Sequence, residues 1–172
     1  MEKRFIIKKS KINGLGCFAS KLIKKGELIH ILLGKTVSIP QLKKMYELGK
    51  ERIDDPLQVG DLKYISLSKP GIFFNHSCNP NAGIKGRATL FALRDIKKGE
   101  EITFDYSTTE WTNDKAWKIN WTKIWKIKCN CKSSKCRKYI KTFNNLPVKL
   151  KERYRQRRAL PNFILRKIDK NN

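Results

Sequence analysis

Two aromatic residues, Phe73 and Phe74, run directly into Asn75-His-Ser-Cys-Asn-Pro-Asn81, and no other stretch restricts the folding of this chain more. Short hydrogen-bonding side chains around a proline compete with the backbone for partners, which favours a rigid, non-repetitive loop over helix or strand. About twenty residues later, Lys98-Gly-Glu-Glu-Ile-Thr-Phe-Asp-Tyr-Ser107 alternates in polarity and predicts a strand ending in the Tyr106 phenol. Such a loop needs a scaffold. With 172 residues, 40% of them hydrophobic and 10% aromatic, the chain can bury roughly two-thirds of its unfolded surface and is expected to form a real core.

The longest dense apolar cluster, Leu28 to Leu33, is interrupted by His30 and falls far short of a membrane span. At the N-terminus, Lys3 and Arg4 precede only Phe5, Ile6 and Ile7 before Lys8, too few apolar residues for a secretory signal. The expected setting is therefore the cytoplasm, with no membrane partner. There the five cysteines bind metal or stay free more often than they pair.

Residues 4–110 read as short strands divided by turns: Arg4 to Lys8, Gly16 to Ser20, Leu28 to Gly34, Lys63 to Leu67, Ala88 to Ala92 and Glu101 to Phe104. Within them, 38–62 reads as a helical insert, with a helix expected over Ile39 to Ile53 and Pro40 in its first turn. From residue 111 onward the chain changes character, carrying 19 Lys and Arg against 3 Asp and Glu, a net of +16 out of a total of +24. Trp117, Trp121 and Trp125 are spaced by four, which predicts one helix face packed on the domain. A connector with a cysteine segment (111–143) and a basic tail (144–172) follow, the latter with one long helix from Leu146 to Leu165.

Cys129-Asn-Cys131 and Cys136 offer three thiolates, one short of a closed tetrahedral zinc site, and spacing alone leaves zinc and free thiols both open. Gly14-Leu-Gly16 alone marks only a turn.

Taken in order, Gly14-Leu-Gly-Cys-Phe-Ala19, Phe74-Asn-His-Ser-Cys-Asn-Pro-Asn81 and Glu101-Ile-Thr-Phe-Asp-Tyr106 resemble the three signature segments of SET-domain protein lysine methyltransferases. The later Trp125-Lys-Ile-Lys-Cys-Asn-Cys131, Cys136-Arg137 and Leu160-Pro-Asn-Phe-Ile164 resemble compact stand-alone bacterial members. This resemblance implies a mainly β fold of small sheets with short helices, and a pseudoknot that lays the Tyr106 segment against the Asn75 loop. It implies an S-adenosylmethionine cofactor held by Gly14, Leu15, Gly16, Asn75, His76 and Tyr106. Tyr106 becomes the first catalytic residue, with Phe104 beside it and Tyr64 as a second phenol. Phenylalanine at 104 leaves room for more than one methyl. By the same resemblance Cys78 completes a zinc site with Cys129, Cys131 and Cys136, in a post-SET segment that closes over the channel.

The implied activity moves a methyl from the sulfonium to a lysine ε-amine of a protein substrate such as a histone-like, DNA-associated or ribosomal protein. Such substrates are basic, and a chain at +24 repels them. A local acidic groove from Asp54, Asp55, Asp61, Glu100, Glu101 and Glu110 answers this, as does nucleic acid held by the basic C-terminal part and gathering enzyme and substrate together, in the nucleoid or on chromatin; the charge reads equally as a composition bias that leaves lysines on solvated faces. A monomer is expected. The rival reading is a non-catalytic SET-like module that binds nucleic acid or protein through its basic tail. A cysteine-nucleophile enzyme has little support, because His30 and His76 supply no convincing base.

Overall fold

In the computed structural model, which describes residues 4–112 and 114–170, ten short strands alternate with turns and five short helices. Lys3 and the last two residues of the basic tail lie outside the described residues.

Strand β1 (Phe5–Lys9) pairs antiparallel with β2 (Leu15–Ala19) in a two-stranded sheet. Leu28 to Gly34 is not one strand. It divides into β3 (Leu28–Ile31) and β4 (Gly34–Ser38), which join different sheets. Leu32 is buried between them and donates its N–H to Ala88, and a Cβ on Gly34 would run into the Ser66 backbone, so only glycine lets β4 approach so closely. Helix α1 (Ile39–Glu47) starts with a Ser38/Gln41 capping box and Pro40 in its first turn. It stops before the expected Ile53, because Gly49 at φ 63° takes the chain into the left-handed region.

Strands β5 (Leu57–Gly60) and β6 (Lys63–Leu67) complete the sheet β4-β6-β5, while β7 (Ala82–Lys85) and β8 (Thr89–Ala92) complete β3-β8-β7. Neither β5 nor β7 announces itself in sequence. The main core lies between these small sheets, with Ile23, Leu90, Ile96 and Ile102 fully enclosed, and Cys17 is buried among them as a small apolar side chain.

The tryptophans do not share a helix. Trp117 closes α2 (Asp114–Trp117), Lys118 adopts a φ of 53°, and Trp121 opens α3 (Trp121–Ile124). They nevertheless pack as expected. The rings of Trp117 and Trp121 stack 3.7 Å apart and, with Trp125, are buried against Val37, Leu42 and Tyr64. Next comes a two-residue ladder of β9 (Ile127–Lys128) and β10 (Tyr139–Ile140). The long C-terminal helix is likewise two, α4 (Val148–Gln156) and α5 (Asn162–Asp169), separated by Arg158 at φ 50° and by Pro161, whose missing N–H and ring forbid a continuous helix. The two helices and the turn between them bury Tyr154, Leu160, Phe163 and Ile164 against Phe91 and Leu93 of the β8 region.

Candidate active site and cysteine cluster

The glycine turn, the Asn75 loop and the Tyr106 segment meet through one buried amide and one carboxylate. Gly14 has a φ of 45°, and its carbonyl accepts from Ser10 N–H at 2.9 Å, closing the turn. The Asn75 amide donates to the Asn13 and Leu15 carbonyls at 3.2 and 3.0 Å and to Glu101 Oε1 at 2.8 Å. Glu101 also accepts from the Ser10 hydroxyl at 2.8 Å, and a Cβ on Gly16 would collide with its carboxylate. Glycine at 16 thus leaves the Glu101 carboxylate room to make these bonds, a bridging position that sequence pattern did not single out.

Residues 101–106 do not form the expected strand. They make isolated bridges on two sides, Glu101 to Phe18 and Phe104 to His76, the second parallel. Ser77 N–H donates to the Phe104 carbonyl at 3.1 Å, and Phe104 N–H to the Asn75 carbonyl at 3.2 Å. Asn81 adds side-chain bonds to Thr103 N–H and the Glu101 carbonyl. The Tyr106 segment therefore lies against the loop of Asn75 to Asn81, as the resemblance implies.

Tyr106 N–H donates to His76 Nδ1 at 3.2 Å, so that nitrogen is an acceptor, and burial lowers the imidazole pKa to about 4, leaving it neutral near pH 7. Tyr106 Oη donates to the Phe74 carbonyl at 2.9 Å, and burial raises its pKa, so the phenol stays protonated. Phe104 packs 4.9 Å from the Tyr106 ring. Around Tyr106 open three adjoining cavities. One is walled by Asn13, Gly14, Leu15 and Asn75, one by Phe104, Leu57 and Phe74, and one of about 210 Å³ runs between His76 and the Ile127–Ile140 arm. Gly14, Leu15, Asn75, His76, Phe104 and Tyr106 are thereby brought together, with Gly16 directly behind.

Tyr64 is not with them. It is 1% exposed, and its hydroxyl donates to Glu110 Oε1 at 2.8 Å and accepts from Trp117 Nε1 at 3.3 Å. Trp121 Nε1 reaches the same Glu110 oxygen at 2.6 Å, and burial raises the Glu110 pKa to about 8. The second phenol belongs to a polar knot beneath the tryptophans, because an enclosed carboxyl recruits every nearby donor.

The six carboxylates expected to form an acidic groove are dispersed. Asp61 pairs with Lys167, Glu100 with Arg94, Glu101 holds the glycine turn, and Glu110 is buried. Asp54 and Asp55 line the cavities at Tyr106, where burial raises Asp55 to about 6. Neither was distinguished from the other four in sequence, because the 51–56 loop is placed only by tertiary contact.

Beside His76, the thiols converge. His76, Cys78, Cys129 and Cys131 offer donor atoms all within 4.8 Å of one another, with His76 Nε2 3.3 Å from Cys78 Sγ and Cys78 Sγ 3.7 Å from Cys129 Sγ. Cys136 shares hydrogen-bonding contact with Cys129 and Cys131. Burial acts to raise the Cys131 pKa, yet N–H groups of Cys78 and Ser133 and the adjacent thiols bring it down to about 7, whereas burial carries Cys78 up to about 11. Soft sulfur donors gathered at this spacing fit a zinc ion, which needs four ligands and prefers thiolates. The nearness of His76 was not foreseen; it follows from its place two residues before Cys78.

Behind this cluster, Asp105 is 1% exposed and accepts from Arg137 Nη1 and Nη2 at 2.8 and 2.7 Å, Tyr154 Oη at 2.8 Å and Ser107 N–H at 3.0 Å. Burial would raise its pKa, but His76, once protonated in acid, together with Arg137 and Tyr154, holds it below the usual carboxylate range.

The sequence profile of the SET domain matches residues 14–107. A variant-silencing SET domain-containing protein of Plasmodium falciparum is 33% identical over 150 residues, covering 77% of this chain and 5% of that protein. The H3 lysine-9 specific histone-lysine N-methyltransferase dim-5 of Neurospora crassa is 30% identical over 164 residues, covering 77% of this chain and 49% of that enzyme. The chain thus spans half or less of the length of these relatives. They come from a malaria parasite and a filamentous fungus and lend no support to a bacterial likeness. Among solved structures, a humanized mutant of the Chaetomium thermophilum Polycomb Repressive Complex 2 bound to the inhibitor GSK126 shares the fold at a TM-score of 0.55, with 22% identity over 63% of this chain and 15% of that one. With the glycine turn, the Asn75 loop and Tyr106 all inside the matched span, the chain belongs to the SET-domain family.

Proposed function

We propose that the protein methylates the ε-amine of a lysine in a basic, histone-like protein substrate. The observation that carries this reading is the Tyr106 hydroxyl, fixed on the Phe74 carbonyl where the cavities beside the glycine turn and Phe104 adjoin. S-adenosylmethionine bound against Gly14, Leu15, Asn75 and His76 would supply an electrophilic sulfonium methyl. The chain's part is mostly geometric. The apolar walls of Leu57, Phe74 and Phe104 would disfavour the charged form of an entering lysine, whose ammonium in water has a pKa near 10.4. The Tyr106 hydroxyl and Phe74 carbonyl would align the amine for in-line attack at roughly 3 to 3.5 Å. Asp54 and Asp55, which share the single Arg52 guanidinium at 3.2 and 3.9 Å, would leave at most one net negative charge at the entrance for that lysine. With phenylalanine rather than a second phenol at 104, no hydroxyl beside Tyr106 would tie up the product amine, which favours addition of more than one methyl.

The compartment that goes with this reading is the cytoplasm, where reducing conditions would keep the five thiols available to a metal. On α4, Lys149, Arg153 and Arg155 are exposed, as is Arg157 just after it, with one acidic neighbour, Glu152. This cationic surface suits nucleic acid that also carries the substrate.

The test is transfer of labelled methyl from S-adenosylmethionine to purified histones and a lysate panel, with and without nucleic acid, paired with thermal melts. Labelled lysines are expected, together with a stabilisation of about 2.7 kcal/mol at cofactor concentrations 100 times the dissociation constant. Absence of both would overturn the enzyme in favour of a binding module.

A zinc ion held by Cys78, Cys129, Cys131 and Cys136, with His76 adjacent, is the second part of this reading. Its function would be structural, fastening the Ile127–Ile140 arm to the Asn75 loop. Purified protein is expected to contain about one zinc per chain, and a chelator should lower the melting temperature and the cofactor affinity together. Metal-free protein with an unchanged melt would refute it.

A further inference from the structure

Strands β1 and β3 are the outer members of separate sheets, and among the described residues neither outer edge has a neighbouring strand. Both border one open groove of about 890 Å³ on the face that carries Phe5 and Phe73. The groove is walled by Ile6, Ile7, Leu28, Ile31 and Leu33, which are 42 to 61% exposed. Edge strands are normally guarded by charge, proline or irregularity. Here β3 carries a bulge between Leu28 and His30 and β1 ends in Lys8 and Lys9, but the Phe5-Ile6-Ile7 stretch has no such guard.

The chemistry of the rim identifies the occupant. Arg4 and Lys69 line the groove, Lys8 and Lys9 are exposed beyond it, and among the described residues the carboxylate alongside, Glu27, is engaged by Arg4 at 3.4 Å and by Lys24 N–H at 2.7 Å. Unpaired main-chain groups on two strand edges invite an extended chain. The apolar walls take alternate side chains of such a chain, and the cationic ends take carboxylates. A second copy of this protein is a poor fit, since a two-fold pairing of β1 with its mate would bring Arg4, Lys8 and Lys9 against themselves. We propose that the groove between β1 and β3 docks an extended segment of a partner protein, with apolar residues at alternate positions and acidic residues at its ends. This docking is independent of methyl transfer.

The probes are two labelled synthetic peptides, each with isoleucine and threonine alternating in the middle, one flanked by glutamates and the other by lysines. Fluorescence anisotropy is measured with the full chain at physiological ionic strength. The acidic-flanked peptide is expected to bind, and the lysine-flanked one to bind at least tenfold more weakly. Ile6→Glu and Lys69→Glu, both at exposed positions, are each expected to weaken binding of the acidic peptide about tenfold without changing the melting temperature. No binding of either peptide, equal binding of both, or indifference to Ile6→Glu overturns the proposal. Concentration-dependent dimerisation abolished by Ile6→Glu would do so as well, by assigning the groove to a second copy.

Discussion

Tyr106→Phe is expected to slow methyl transfer about 100-fold or more while leaving the protein folded. The ring stays where it is, because its packing comes from Phe104 at 4.9 Å and His76 at 5.4 Å, and phenylalanine keeps both contacts. What is lost is one hydroxyl and its 2.9 Å bond to the Phe74 carbonyl, worth only about 1 kcal/mol to the fold. In the proposed reaction the same hydroxyl would sit where charge redistributes, and removing a preorganised donor from such a position commonly costs two to three orders of magnitude. Initial rates on a histone substrate, compared with urea melts of both proteins, separate the two effects. Equal rates for variant and wild type would remove Tyr106 from the chemistry.

The second large effect is on stability. Asp105→Ala should cost about 3 to 5 kcal/mol, because it leaves the Arg137 guanidinium without its counter-ion in a site that is 18% exposed on the arginine side and closed on the other. Tyr154 and Ser107 lose an acceptor in the same step. The pH dependence follows from the lowered pKa of Asp105 in the folded protein. Its contribution is complete above the unfolded carboxylate value near 3.9 and disappears as pH falls through the lower folded value. The stability gap between wild type and Asp105→Ala, measured by urea melts at pH 7 and at pH 3, should therefore narrow in acid. A gap of the same size at both pH values would mean that packing, not the ion pair, accounts for it.

Short-range order was the legible part of this chain. The turn at Gly14, the loop from Asn75 and the strand Lys63 to Leu67 were visible because residue types there dictate local backbone preference. Spacing misled where one residue leaves the regular path. Lys118 breaks the tryptophan helix and Arg158 the C-terminal one, and neither type advertises a left-handed conformation. Periodicity also failed at Glu101 to Phe104, since an alternating segment that touches two neighbours by single bridges looks like a strand in sequence. The assignments of Tyr64 and of the acidic groove depended on which distant side chains met. Glu110 claims Tyr64 from 46 residues away, and that kind of pairing has no local signature.

The arm from Ile127 to Ile140 forms one wall of the cavity beside Asn75, His76 and Tyr106. On a ribosome making 5 to 20 residues per second, that arm emerges roughly 2 to 7 seconds after Tyr106. For that interval the nascent chain holds every polar group of the glycine turn and the loop but lacks the side that encloses them. Birth order thus sets when this enclosed cavity first exists.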